Sequence, residues 1–227
     1  MKRLGDVLLT HILPTRPVFT TREVADLAGS SMAVVSRHLG VLARRGVLTR
    51  ITRGIWAQPR HPDFSPYAAV PLILAGGRRP RSRRQSGYIS LLSALSLRGL
   101  ISQIPRILSV VATKWLPILR TPIGIYEFHQ LEARLIGGFE PFGQLGNLDV
   151  ATAEKALFDT IYFSTRKGRR FSNLPEIELP RTFRVREVEM WIARIRYGRL
   201  RSAVAQRWRI LLDRVRPASR RSTMHLA

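Results

Sequence analysis

The stretch TTREVADLAGSSMAVVSRHLGVLARRGVLTRITRGIWA, residues 20–57, decides the fold. Thr20-Thr21-Arg22-Glu23 has the spacing of a capping box, in which the Thr20 hydroxyl accepts the Glu23 amide while the Glu23 carboxylate reaches back. The helix it opens, Thr21–Ala28, is expected to bury Val24, Leu27 and Ala28 and to stop at Gly29. Ser30 or Ser31 then caps another helix that runs to about Arg45, where Gly46 ends it. Upstream, Lys2–Leu13 reads as a short helix closed by Pro14. Downstream, Val47–Ile51 and Ile55–Ala57 flank a Thr52-Arg53-Gly54 turn and read as a hairpin. Helix, helix, Gly turn, helix and hairpin, in that order, imply a winged helix-turn-helix over residues 1–60.

On the helix after Ser31, Val35, Leu39 and Leu42 recur at i, i+4 and i+7 and form the buried seam. At 100° per residue the opposite face collects Ser30, Ala33, Arg37, Gly40 and Arg44, small side chains interleaved with guanidinium groups. Such a face suits close approach to base edges and phosphates, with Arg37 at its centre and Ser31, Ser36 and His38 beside it. Thr20, Thr21 and Arg22 sit at a helix N-terminus, where amides favour phosphate. Arg50, Thr52 and Arg53 belong to the wing and are expected to position the protein rather than to specify sequence. A solvated helix arginine is the plain alternative for Arg37, and His38 reads as a phosphate contact or a partly buried packing group.

Charge supports the same partner. The 227 residues carry 38 Lys+Arg against 15 Asp+Glu, a formal net charge of +23. Residues 1–60 hold 10 basic and 3 acidic side chains, 61–84 hold 5 and 1, 85–180 hold 10 and 8, and 181–227 hold 13 and 3. The excess therefore lies outside the middle block, and 34 of the 38 cations are Arg. Arg forks match phosphates and guanine edges, so a polyanion leads and charge leans towards nucleic acid without naming a mode, with acidic lipid and a merely solvated surface as alternatives. The absence of Cys excludes disulfides, thiolate metal sites and a Cys nucleophile. The longest uncharged run, Phe64–Gly77, has 14 residues and is too short for a membrane helix. Met1-Lys2-Arg3 has the look of a signal-peptide start, but Asp6 and His11 interrupt the apolar stretch that should follow. A cytoplasmic, nucleoid-associated protein without membrane contact is expected.

Residues 61–84 read as a Pro/Gly/Arg-rich linker, with a docked helical turn over Tyr67–Ala75 and five Arg between 78 and 84 that either touch phosphate or are solvated. From 85 the pattern changes to a mixed α/β domain, which makes the whole an α+β chain. Tyr88–Leu100 starts extended and continues as a helix closed by Gly99. Arg106–Lys114, Ile123–Gln130 and Glu132–Gly138 are strand candidates. Thr152–Phe163 reads as an amphipathic helix with Ala156, Phe158, Ile161 and Tyr162 available to a core.

The basic winged helix, the block Tyr88–Leu100 and the block Ala151–Tyr162 (Ala-Thr-Ala-Glu-Lys-Ala-Leu-Phe-Asp-Thr-Ile-Tyr) together resemble the AbiEi-type antitoxins of bacterial abortive-infection, type IV toxin–antitoxin systems. The resemblance spans about residues 5–180. It implies an N-terminal domain that binds inverted repeats in its own promoter and represses it. It also implies a C-terminal domain that counters a nucleotidyltransferase-like toxin, with or without direct binding. Apart from the resemblance, a monomer that pairs on double-stranded DNA is expected. The Arg-rich loop 78–84 and the segment 181–221 carry more charge than that pattern. The alternative is an interaction protein that acts mainly on a protein or RNA partner and binds DNA non-specifically.

No catalytic, metal or cofactor site is expected. Glu154, Lys155 and Asp159 suggest a nuclease centre only until geometry is considered, since adjacent helical residues point about 100° apart. The histidines are scattered, and His129-x-x-Glu132 lacks a third ligand. Two amphipathic helices are expected at the end: Val185, Val188, Trp191, Ile192 and Ile195 line one, and Leu200, Val204, Trp208, Leu211, Leu212 and Val215 the other. Their outer Arg face either meets water, adds phosphate contacts or lies on anionic membrane, and 217–227 is expected to fray.

Overall fold

Pro14 and Pro17 stop the opening helix and leave a short extended segment before Thr20. The computed structural model describes residues 4–77, 87–143, 148–166 and 174–215. In it, α1 (Leu4–Val7) runs on into a π-helical turn over Leu8–Ile12, and the extended segment is β1 (Val18–Thr20). The capping box is formed: Thr20 Oγ1 accepts the Glu23 amide at 3.1 Å, and Glu23 Oε2 accepts the Thr20 amide at 2.8 Å. It opens α2 (Thr21–Ala28), which Gly29 closes at φ +59°, a left-handed conformation that costs other residues about 1 kcal/mol or more. α3 (Met32–Arg44) starts where Ser31 Oγ accepts the Val34 amide. β2 (Thr49–Thr52) and β3 (Ile55–Ala57) form the hairpin, and β1 pairs antiparallel with β3 to give a sheet in the order β1-β3-β2.

The core under these elements joins Val7, Leu8, Ile12, Phe19, Val24, Ala28, Val35, Leu39, Leu48 and Trp56. Each of the larger side chains contributes about 1.5–3 kcal/mol by leaving water. Leu27, expected inside, is 51% exposed, and Ala25 is buried instead. The buried set Thr21, Val24, Ala25 and Ala28 centres about 110° from Leu27 on the helical wheel, so position 27 looks outward.

Contact density divides the chain into two compact units that do not follow the partition 1–60, 61–84 and 85–227. One comprises Met1–Ile89, Arg106–Gln130 and Pro141–Asp149; the other comprises Ser90–Pro105, Leu131–Glu140 and Val150–Ala227. The first unit reaches past the linker because a 3-10 turn over Pro66–Ala69 and α4 (Val70–Leu74) are docked, with Ala69 and Val70 buried and the Tyr126 hydroxyl donating to the Pro66 carbonyl at 2.7 Å. This unit holds β4 (Gly87–Ile89), β5 (Ile107–Ala112), β6 (Leu119–Thr121) and β7 (Gly124–Gln130). β4 runs antiparallel to β5, β5 parallel to β7, and β6 antiparallel to β7. With β8 (Phe139–Phe142) and β9 (Leu148–Ala151) the strand order is β6-β7-β5-β4-β9-β8. The expected strand at Glu132–Gly138 is a 3-10 turn over Ala133–Leu135. Gly137 and Gly138, at φ +139° and +65°, take the backbone out of strand geometry there.

In the second unit, α5 (Leu91–Leu97), α7 (Val185–Ala193) and α8 (Gly198–Val215) all pack on α6 (Ala153–Thr165). α6 is therefore not amphipathic, as its sequence suggested. Every residue from Glu154 to Tyr162 is buried, because three neighbours leave it no solvent face. Its polar side chains are satisfied inside: Thr160 donates to the Ala156 carbonyl at 2.7 Å and Ser164 to the Ile161 carbonyl at 2.7 Å. α7 and α8 keep the expected division, with Val188, Ile192, Val204, Trp208 and Leu211 inside. No helix among the described residues is long and apolar enough to cross a membrane. The Arg-rich loop 78–84 and residues 217–227 lie outside the described residues.

Candidate nucleic-acid interface

The outer face of α3 follows from its seam. With Val35 and Leu39 fully buried, Ser31, Ala33, Ser36, Arg37, His38 and Arg44 are exposed, and Ser30 and Gly40 are half-buried at the edge. Arg37, Arg44 and Arg53 make no ion pair among the described residues, so their guanidinium groups carry uncompensated charge. Arg22 is exposed on the first turn of α2. Arg53 is exposed at the hairpin turn, whereas Thr52 is half-buried. Arg50 folds back on its own hairpin: its guanidinium lies 5.7 Å from the Trp56 ring centroid and its Nε donates to the Thr52 carbonyl at 3.4 Å.

Thr20 and Thr21 are not at this surface. Both are buried, and their polar atoms are spent inside the fold. The Thr20 hydroxyl serves the capping box. The Thr21 amide donates to the Gly54 carbonyl at 2.9 Å, and the Thr21 hydroxyl accepts the Trp56 indole N–H at 2.8 Å. These two bonds tie the start of α2 to the hairpin, which makes Thr21 a structural residue. Glu23 completes the local network by accepting Arg16 at 2.8 Å. Sequence reasoning missed Val34, which is 50% exposed and lies about 60° from Arg37 on the α3 wheel. The wheel that placed Arg37 also places Val34 outside; reading it simply as an apolar residue hid it.

The second unit contains the charged residues first weighed as a nuclease centre, and Glu154 stands apart from the other two. Lys155 Nζ and Asp159 Oδ1 form a salt bridge one helical turn apart with both side chains fully buried. Asp159 Oδ2 accepts the Ser90 hydroxyl at 2.7 Å. The ammonium also stands 4.7 Å from the Phe158 ring centroid and 4.6 Å from that of Trp191. Burial pushes the Lys155 pKa down, and the Asp159 carboxylate partly restores it. Glu154 points elsewhere and accepts the Arg184 amide at 3.0 Å. Among the described residues no group of three or more His, Asp or Glu is placed to hold a metal ion.

No family model and no curated protein matches this sequence. Among solved structures the chain is similar to the crystal structure of the RV2827C protein from Mycobacterium tuberculosis, at 18% identity and a TM-score of 0.52 over 92% of this chain and 74% of that one. The likeness is one of fold, and the fold is mixed α+β.

Proposed function

We propose that the chain is a sequence-specific DNA-binding repressor in which residues 4–57 act as a winged helix-turn-helix. The observation that carries this reading is the outer face of α3, where exposed Arg37 stands among small side chains and makes no ion pair among the described residues. A 13-residue helix is about 20 Å long and fits the major groove lengthwise. There Arg37 would fork onto a guanine edge and Val34 would meet a thymine methyl. Ser31, Ser36, His38, Arg22 and Arg44 would hold phosphates, and Arg53 would lie along the backbone from the hairpin turn. The reading needs no cofactor or metal. The resemblance to AbiEi-type antitoxins extends it: the DNA is the inverted repeat of the protein's own promoter, one copy occupies each half-site, and the protein opposes a nucleotidyltransferase-like toxin in the cytoplasm.

Gel-shift titration on the DNA upstream of its own reading frame, against the same DNA shuffled, tests the proposal at several salt concentrations. Specific binding should exceed binding to the shuffled sequence by about 10³-fold or more. Equal affinities in the range of about 10⁻⁴–10⁻⁶ M would leave only charge-driven association and refute it. Arg37→Ala should cost about 1–3 kcal/mol and relax one base position, whereas Arg53→Ala should weaken all sequences alike.

A further inference from the structure

Residues 194–201 read Arg-Ile-Arg-Tyr-Gly-Arg-Leu-Arg; the first four join α7 to α8 and the last four are the first turn of α8. Ile195 is buried and Leu200 half-buried, and these two side chains pin the turn. Arg194, Arg196, Arg199 and Arg201 are left exposed around Tyr197, whose side chain is 63% exposed. None of the four arginines makes an ion pair among the described residues. The acids of α7 and α8 are few: Glu187 is taken by Arg184 at 2.7 Å, Glu189 is exposed on α7, and Asp213 lies at the far end of α8; Glu132, which like Tyr197 acts on the Tyr162 phenol, is paired with Arg134 at 3.2 Å. The first turn of α8 contains no acidic residue and two of these arginines. A helix N-terminus carries partial positive charge, so this placement repels itself unless an anion is present. Arg194 is further held 4.3 Å from the Trp191 ring centroid, which presents its guanidinium as a fixed plane rather than a free tether.

We propose that this turn is a second binding site, for single-stranded nucleic acid, in which Tyr197 stacks on a base and the four arginines engage the flanking phosphates. A solvent-facing ring flanked along the chain by exposed cations is the combination that single strands require, because only an unstacked base offers its face. A duplex keeps its base faces covered and would use the charge but not the ring. An anionic membrane would need an apolar helix face turned outward, and the apolar stripes of α7 and α8 are committed to the interior through Val188, Ile192, Val204 and Trp208. The site goes beyond the duplex reading, which uses residues of the other compact unit.

Fluorescence anisotropy with the full chain tests it, using fluorescein-labelled oligo(U) RNA and oligo(dT) of about 12 nucleotides between about 50 and 200 mM salt. Tyr197→Ala should weaken single-strand binding by about 5- to 150-fold, and Tyr197→Phe, which keeps the ring, should restore it. Arg196→Ala with Arg199→Ala should flatten the salt slope by about 1.4, at about 0.7 for each phosphate released. Loss of binding to either polymer on Tyr197→Ala supports the site, and the tighter of the two identifies its natural strand. Arg37→Ala should leave single-strand binding within twofold of the parent while it weakens specific duplex binding by about 5- to 150-fold, so either reading can fail alone. Tyr197→Ala binding within twofold of the parent overturns the proposal. So does capture of phosphatidylglycerol vesicles, or of an oligo-glutamate peptide, in the absence of oligonucleotide binding.

Discussion

Replacing Asp159 by Ala strands the fully buried ammonium of Lys155. Both side chains of the Lys155–Asp159 pair are fully buried, and the carboxylate also accepts the Ser90 hydroxyl at 2.7 Å. Removing one partner of such a pair costs about 3–5 kcal/mol, because the remaining charge has neither water nor counter-ion. The Phe158 and Trp191 rings stay in place at 4.7 and 4.6 Å and cushion the ammonium, which puts the expected loss near the lower limit, about 3 kcal/mol. Urea unfolding followed by tryptophan fluorescence measures it, with Trp191 a local reporter. The double variant Lys155→Met, Asp159→Leu removes both charges at similar volume but leaves the buried Ser90 hydroxyl without its acceptor, and should return to within about 1–2 kcal/mol of the parent. The pH dependence supplies an independent sign. Burial holds the Lys155 pKa below its ordinary 10.5, so between the two values the unfolded chain binds more protons and stability rises with pH. Without Asp159 the folded pKa falls further, the window widens, and stability should begin to rise at a lower pH than in the parent. Above that range burial of Tyr126 and Tyr162 raises their phenol pKa values, the unfolded chain loses those protons first, and stability falls. A loss below about 1 kcal/mol for Asp159→Ala, or a double variant as damaged as the single one, would refute the reasoning.

Trp56→Phe leaves the buried Thr21 hydroxyl without its indole donor and should cost about 1–3 kcal/mol in thermal or urea unfolding. Gly138→Ala places a methyl 2.9 Å from Trp191 Cζ2 and 3.0 Å from Lys155 Cβ at a backbone angle of φ +65°. It should destabilise by at least about 2 kcal/mol and disturb the Trp191 emission. Leu27→Ala should change stability by less than about 0.5 kcal/mol, whereas Val24→Ala, one turn back and fully buried, should cost at least about 1 kcal/mol.

The elements that could be read in advance are those whose determinants lie within a turn of one another. Thr20 with Glu23 and Gly29 bounded α2, Ser31 opened α3, and Gly99 followed α5. The face of α3 was legible too, because 100° per residue depends only on the helix existing; Arg37 and Arg44 came out exposed and Val35 and Leu39 buried. What failed depended on distant partners. Thr20 and Thr21 sat at a helix N-terminus in the sequence, yet Trp56, 35 residues away, and Gly54 turn Thr21 inward. β1 is too short to alternate and exists through its pairing with β3. Ser90 and Asp159 are 69 residues apart, so no local pattern announces their bond.

By itself, then, the sequence determined where helices start and stop, which face of α3 looks outward, and where an excess of arginine is carried. Capping, turn chemistry and side-chain periodicity act over a few residues and need no knowledge of the rest of the chain. Only the tertiary structure decided that α6 is enclosed on all sides, that its lysine and aspartate neutralise each other, and that two of the threonines expected at the interface serve the hydrogen-bond frame beneath it. Burial is a property of the whole chain: a charged or hydroxyl side chain takes its role from whatever the fold brings against it.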